Sequence, residues 1–284
     1  MTTRIQPHLI AYSIFLMLVG YAHFTGCADD IKGEQGEIGQ PGVDATADAI
    51  ISFRRPGFTS RPGNPKAVVV PATKTQVAQV YVSGVVYTNT ADAAADLLKI
   101  GRNGLDTGVA VANTVYYLYA VPQEADSGFD LIASLSDPSI GPTDFQAHSY
   151  LGAFMTDDSA NVPAFRSEGG RFQANFVLSA ISHTGDDNNT QKSIPMPLTA
   201  HASIGDLSVS GPTLDRHGYA NGWGITSSSK DPFLTTTTAA NIRIRNFVVI
   251  PLEQPGTIYL RTTEPTNIVY YEHSGWIENV TLWN

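Results

Sequence analysis

Thr114-Val115-Tyr116-Tyr117-Leu118-Tyr119-Ala120-Val121 is the stretch whose reading decides the fold class. β-Branched and aromatic side chains dominate it, and such residues suit a pleated, packed surface. With a side-chain period of two, Tyr116, Leu118 and Ala120 face one way, and Tyr117, Tyr119 and Val121 face the other. Both faces are therefore covered, which places the strand at the centre of a sheet.

Working outward, similar runs recur at Ala67–Val70, Gln76–Thr88, Phe129–Leu135, Ser149–Met155, Phe172–Ile181, Arg243–Pro251, Thr257–Thr262 and Asn267–Glu272. Pro-Gly, Asp-Ser-Gly, Asp-Pro, Gly-Pro and Gly-Asp-Asp-Asn-Asn punctuate them, and each stops a strand by fixing φ or by capping its own backbone. Only Ala91–Ile100 (ADAAADLLKI) reads as a helix, a short one. The pattern predicts an all-β chain: an antiparallel β-sandwich, jelly-roll-like, rather than alternating βαβ units. Residues 46–183 form its first block, and residues 184–284 either continue that sandwich or make a second β-domain. The polar stretch Thr184–Pro197 (TGDDNNTQKSIPMP) marks the boundary, or equally a long loop within one sandwich.

Composition narrows the function classes. The chain has 284 residues, 42% hydrophobic and 15% charged, so it is long enough for one large domain or two small ones. Its net charge of -9 is spread thinly, with no basic stripe beyond Arg54, Arg55 and Arg61. Nucleic acid is not an expected partner, because phosphate binding needs clustered Lys and Arg. A single cysteine rules out an internal disulfide framework.

The N-terminal region reads as an address. Arg4 supplies a positive start, and Leu9–Ala22 supplies fourteen apolar-rich residues. Such a helix is about 21 Å long against the ~30 Å of a bilayer core, so residues 1–26 read as a cleaved signal peptide. Phe24-Thr25-Gly26-Cys27 resembles the bacterial lipobox, in which a small residue precedes a lipidated cysteine. The resemblance implies a lipid anchor at Cys27 and, with Ala28 and Asp29 following, an outer-membrane lipoprotein. Ordinary cleavage near Ala22 or Gly26 with an incidental thiol is the alternative. Residues 27–45 then carry four in-frame triplets beginning at Gly33, Gly36, Gly39 and Gly42. Only glycine fits the crowded axis of a collagen helix, so the run reads as a short collagen-like stalk or as a flexible linker. Four triplets are too few to hold a triple helix alone, so trimer contacts in the body would have to maintain any winding.

Gly104-Leu105-Asp106-Thr107-Gly108 followed by Asn113–Val121 resembles a "GLDTG … NTWYYVYAI" signature of phage tail-fibre and related virion display domains. Asp130–Ser136, Tyr150–Phe154, Thr156–Val162 and Phe165 extend the likeness over residues 104–175. Val115 stands where that family usually has Trp, and the Pro-Ser-Gly-Tyr turn is absent from Asp144–Ser149. The resemblance implies a virion-like, trimeric, β-rich display domain; it does not imply a catalytic activity. Thr156–Val162 is expected to be a polar hairpin tip.

Chemistry-bearing motifs are sparse. Histidines stand at 8, 23, 148, 183, 201, 217 and 273, without metal-ligand spacing in the body of the chain. Asp157-Asp158-Ser159 and Asp186-Asp187-Asn188-Asn189 are oxygen-rich, but neither continues into a calcium loop, and Asx turns account for both. G-x-S-x-G, P-loop and H-E-x-x-H motifs are absent. Asp206, Asp215, Glu253 and Glu264 offer carboxylates for glycoside hydrolysis, with nothing in the sequence to select a pair. Tyr270, Tyr271 and Trp276 read mainly as core, whereas Tyr219 and Trp223 are the candidate exposed rings for a carbohydrate.

The expectation is a non-enzymatic, exported surface or appendage protein, without cofactor or metal, that presents a homotrimeric β-sandwich on a short stalk for adhesion or assembly. A self-assembling subunit of an extracellular fibre or layer is the second reading, with Asp48–Arg55 as a strand for a neighbour. A secreted carbohydrate-active enzyme is the third.

Overall fold

The structure, a computed structural model, describes residues 55–124, 127–184, 190–210, 218–221, 244–262 and 266–278. The signal peptide, Cys27 and the glycine triplets lie outside the described residues. The described part is all-β and contains no helix.

Among the described residues, eighteen strands follow in chain order. They are β1 (Phe58–Ser60), β2 (Ala67–Val70), β3 (Ala78–Val82), β4 (Val85–Asn89), β5 (Ala93–Asp96), β6 (Gly104–Leu105), β7 (Val115–Pro122), β8 (Phe129–Ser134) and β9 (Ser149–Met155). Then come β10 (Phe165–Glu168), β11 (Arg171–Ala174), β12 (Ser179–Thr184), β13 (Thr190–Ser193), β14 (Ala200–Ser210), β15 (Gly218–Asn221), β16 (Ile244–Pro251), β17 (Thr257–Thr262) and β18 (Ile268–Glu278). The largest sheet has nine strands in the order β16-β14-β18-β11-β10-β1-β2-β5, with β12 also on β18. It joins strands from both sides of residue 184. Smaller sheets are β6-β8-β7-β9, β13-β17-β15 and the hairpin β3-β4. Pairing is antiparallel apart from β6 with β8 and an isolated bridge between Ile100 and Leu105.

Strand β7 is central in its sheet, between β8 and β9, and Tyr116 to Val121 are all buried. Its register with β9 shifts between Leu118 and Tyr119, where Leu151 is the extra residue of a β-bulge. The neighbouring Gly152 has φ of 151°, and a Cβ there would lie 2.8 Å from the Phe58 ring. Glycine at this position therefore lets Phe58 of the large sheet pack directly against β9.

The structure departs from the sequence pattern at five places. Ala91–Ile100 is not a helix: Asp92 Oδ1 accepts the Ala72 N–H, and Ala93 to Asp96 pair with β2 as β5. Alanines suit that edge because Ala93 and Ala95 are buried beside Val70 and Val68, so packing overrides helix propensity. Gln76–Thr88 is a hairpin rather than one strand, reversing at Ser83 (φ 50°) and Gly84 (φ 89°). Phe172–Ile181 breaks into β11 and β12, both of which lie along β18. Thr156–Val162 is not a hairpin tip, because β9 pairs with β7 while β10 pairs with β1 and β11 in the other sheet. The polar stretch Thr184–Pro197 also contains a strand, β13.

Strand β14 has no counterpart in the sequence reading, yet it pairs along nearly its whole length with β16 and β18. Its Ala-, Ser- and Gly-rich sequence leaves room for large neighbours: a Cβ on Gly205 would meet the Tyr271 ring at 2.7 Å. One core cluster runs through Phe58, Phe154, Phe165, Phe172 and Trp276. Within it, Phe165 and Phe172 have centroids 4.8 Å apart, and Phe172 stacks on Trp276 at 4.0 Å. A second cluster gathers Leu207, Ile250, Ile258, Leu260, Val269 and Tyr271.

Candidate functional site

Two kinds of polar assembly stand out among the described residues: networks sealed in the core, and an open groove. Two of the sealed networks belong to β18. Glu278, at its end, is 3% exposed and accepts hydrogen bonds from Tyr150 Oη (2.6 Å) and Thr199 Oγ1 (2.8 Å). The Arg55 guanidinium lies over the Tyr150 ring at 5.1 Å. Burial pushes the Glu278 carboxyl up to about 7, although Tyr150, Thr199, Arg55 and the Ala153 N–H all favour its charged form. Burial and the neighbouring Glu278 likewise hold the Tyr150 phenol protonated.

On the same strand, His273 Nδ1 lies 2.9 Å from Ser203 Oγ, which lies 2.6 Å from Tyr271 Oη. Burial pulls His273 down to about 4, so the ring is neutral at physiological pH. A serine beside a histidine invites a catalytic reading. Ser203, Tyr271 and His273 are each 0% exposed, however, and no substrate reaches them in this conformation. In the strand register Ser203 pairs with Trp276 across β14 and β18, and a shift between Ile204 and Gly205 places His273 opposite Gly205.

The open groove, about 550 Å³, lies where the end of β4, the approach to β5 and the β7–β8 turn meet. Its walls are built from short polar side chains. Asn89, the last residue of β4, clasps the backbone of Phe129: its Nδ2 donates to the carbonyl (2.8 Å) and its Oδ1 accepts the N–H (3.0 Å). Asp130 Oδ1 accepts from Asn103 Nδ2 (2.8 Å) and Gln123 Nε2 (3.0 Å), while Oδ2 takes Arg102 Nη1 at 3.2 Å. Asn103 has φ of 61°, an αL turn position that asparagine tolerates. Gly128 makes the convergence possible, since a Cβ there would sit 2.6 Å from Asn89 Oδ1 and 2.7 Å from Gln123 Oε1. Asp92 completes the rim, exposed, with Oδ1 on the Ala72 N–H at 2.9 Å.

The residues singled out from sequence fall elsewhere. Tyr219 lies in β15 opposite Arg261, and Trp223 is outside the described residues, as are Asp186–Asn189, Asp215, Glu264 and His217. Tyr271 and Trp276 are core, as expected. Asp157 makes an Asx turn, its Oδ1 accepting the Ser159 N–H (2.9 Å) and the Asn161 N–H (2.7 Å). Lys66 Nζ donates to the nearby carbonyls of Ser159 and Ala160, both at 2.9 Å, so a lysine sits against this loop. Asp206 lies directly opposite Glu272 on β18, and Glu253 is exposed in the β16–β17 turn. His148 Nδ1 bonds the Phe145 carbonyl, His183 is in β12 and His201 is exposed on β14. Among the described residues, no three His, Cys, Asp or Glu side chains gather as a metal site. The groove residues carried no sequence signal, because each is an ordinary turn residue whose neighbours come from distant parts of the chain.

Comparison with protein families, with curated proteins and with solved structures finds no match to this chain.

Proposed function

We propose that this chain is a non-enzymatic surface or appendage protein. In this reading it is exported, anchored through a lipid on Cys27, raised on the Gly33–Gly42 stalk, and presents a trimeric, jelly-roll-like β-sandwich for adhesion or assembly. The observation that carries the proposal is the β3–β4 hairpin. Val77, Tyr81 and Val86 stand on or beside one face of it at 39–50% exposure, while Ala78, Val80 and Val82 on its other face are buried. Contiguous apolar exposure of this kind marks contact surfaces on soluble proteins. The sealing of His273, Ser203 and Glu278 fits the same reading, because groups with strongly shifted proton affinities serve packing here.

A self-assembling fibre or layer subunit is the second reading, favoured by β16. This strand ends the large sheet and carries Phe247 (55% exposed) and Val249 (38%) on its outer face. The deciding experiment extracts the full chain from membranes in mild detergent and measures intact mass and light scattering. A diacylglyceryl adduct on a chain starting at Cys27, with three copies per particle, is expected. A lipid-free monomer overturns the proposal, and a lipidated polymer favours the fibre subunit.

A further inference from the structure

We propose that the groove formed by Asn89, Asp92, Asn103, Gln123, Gly128 and Asp130 is a binding site for a neutral saccharide. The inference rests on the adhesion side of the display reading and supplies the ligand class that reading lacks. Size comes first: about 550 Å³ lies within the roughly 300–1,000 Å³ of small-molecule sites. Chemistry then eliminates the competitors. Among the described residues the lining contains no Lys, Arg or His, while Asp92 and Asp130 are carboxylates, so a phosphate or carboxylate ligand is repelled. Arg102, beside the groove, is engaged by Asp130, Glu124 and the Pro122 carbonyl. An apolar ligand would cover amide and hydroxyl groups without pairing them, a costly exchange.

A pyranose fits the remaining inventory. Asn89, Asn103 and Gln123 each spend one amide N–H on the protein and keep a second. Asp92 spends Oδ1 on Ala72 and keeps Oδ2 as an acceptor, and Thr88 and Thr90 add hydroxyls. Fixed N–H donors interspersed with acceptors match vicinal hydroxyls, each of which donates once and accepts. The walls are pre-organised by bonds the protein already makes, so little side-chain freedom is lost on binding. Ala91 and Ala93 supply only methyl contacts, and among the described residues no aromatic platform lines the groove apart from the buried Phe129. Binding is therefore weak per site, and three copies on one particle would raise it by avidity.

The test is saturation-transfer NMR on the full chain in detergent, with D-glucose, D-galactose, D-mannose and N-acetyl-D-glucosamine as probes. At least one sugar is expected to receive saturation. Asp92→Asn keeps the Ala72 bond but replaces the free acceptor with a donor, and should raise the dissociation constant about tenfold or more. Gln123→Ala should do the same, and the exposed control His201→Ala should leave binding unchanged. Transfer to none of the four sugars, or transfer indifferent to both groove variants, overturns the inference. Light scattering on the same samples separates the two proposals: a lipidated trimer with a silent groove keeps the display reading and loses the saccharide site.

Discussion

Replacing Glu278 with Gln should change how stability depends on pH, and the structure fixes both sign and size. An unfolded chain releases this proton near 4.5, whereas the folded protein holds it to about 7. Between those values the folded state binds more protons, so wild-type stability falls as pH rises through the window. The gap from 4.5 to about 7 corresponds to roughly 3 kcal/mol. Glutamine keeps the side-chain shape and the acceptor for Tyr150 and Thr199 but cannot ionise. At pH 4.5 the two proteins should differ little. By pH 8 the variant should have gained about 3 kcal/mol on the wild type, on the order of 1 M or more in urea midpoint. Urea unfolding at half-unit pH intervals, followed by the fluorescence of the buried Trp276, measures it. A midpoint difference that stays constant from pH 4.5 to 8 would refute the reasoning, since Glu278 would then ionise as an exposed carboxylate does.

His273 contributes with the opposite sign: folded it stays neutral to about 4, so below 6.5 it withholds a proton that the unfolded chain accepts, and stability drops as pH falls. The two groups offset each other between pH 4.5 and 6.5, so Glu278→Gln should expose a downward slope toward acid of about 1.4 kcal/mol per pH unit, which Glu278→Gln/His273→Asn should abolish in the same titration. Phe172→Ala removes a ring stacked on Trp276 and packed on Phe165, and should cost about 3–5 kcal/mol by chemical denaturation; a loss under about 1 kcal/mol would contradict the aromatic core. Asp106→Ala should cost about 2–3 kcal/mol, because Ser134 Oγ and the Thr143 N–H and hydroxyl lose their shared acceptor, with Asp106→Asn recovering part of it. Gly275→Ala should fail to accumulate as folded protein at 37 °C, since a methyl there collides with the Phe172 carbonyl; a wild-type melting curve would exclude that β11–β18 contact.

Strands with large β-branched or aromatic residues were legible because their signal is local. Ala67–Val70, Ser149–Met155 and Thr257–Thr262 occur with the boundaries the pattern suggests, and Tyr116–Val121 is central and buried on both faces. What failed was local as well. The Ser83-Gly84 reversal was a hairpin signal inside an apolar run, and the alanines of Ala91–Ile100 carried a helix preference that the valines of β2 override. The small residues of β14 showed no strand signal because its partners define it: Gly205 is needed by Tyr271, and Ser203 by His273.

The sequence by itself determined the all-β class, the position of β7 and the scarcity of catalytic motifs, all of which follow from short-range periodicity and composition. Tertiary structure alone decided that Ser203 and His273 meet inside the core, that Glu278 is raised by burial, and that Asn89, Asn103, Gln123 and Asp130 line one groove. These residues are brought together by pairing between strands distant in the chain, and proton affinity and hydrogen-bond geometry depend on the surroundings that pairing creates rather than on residue type.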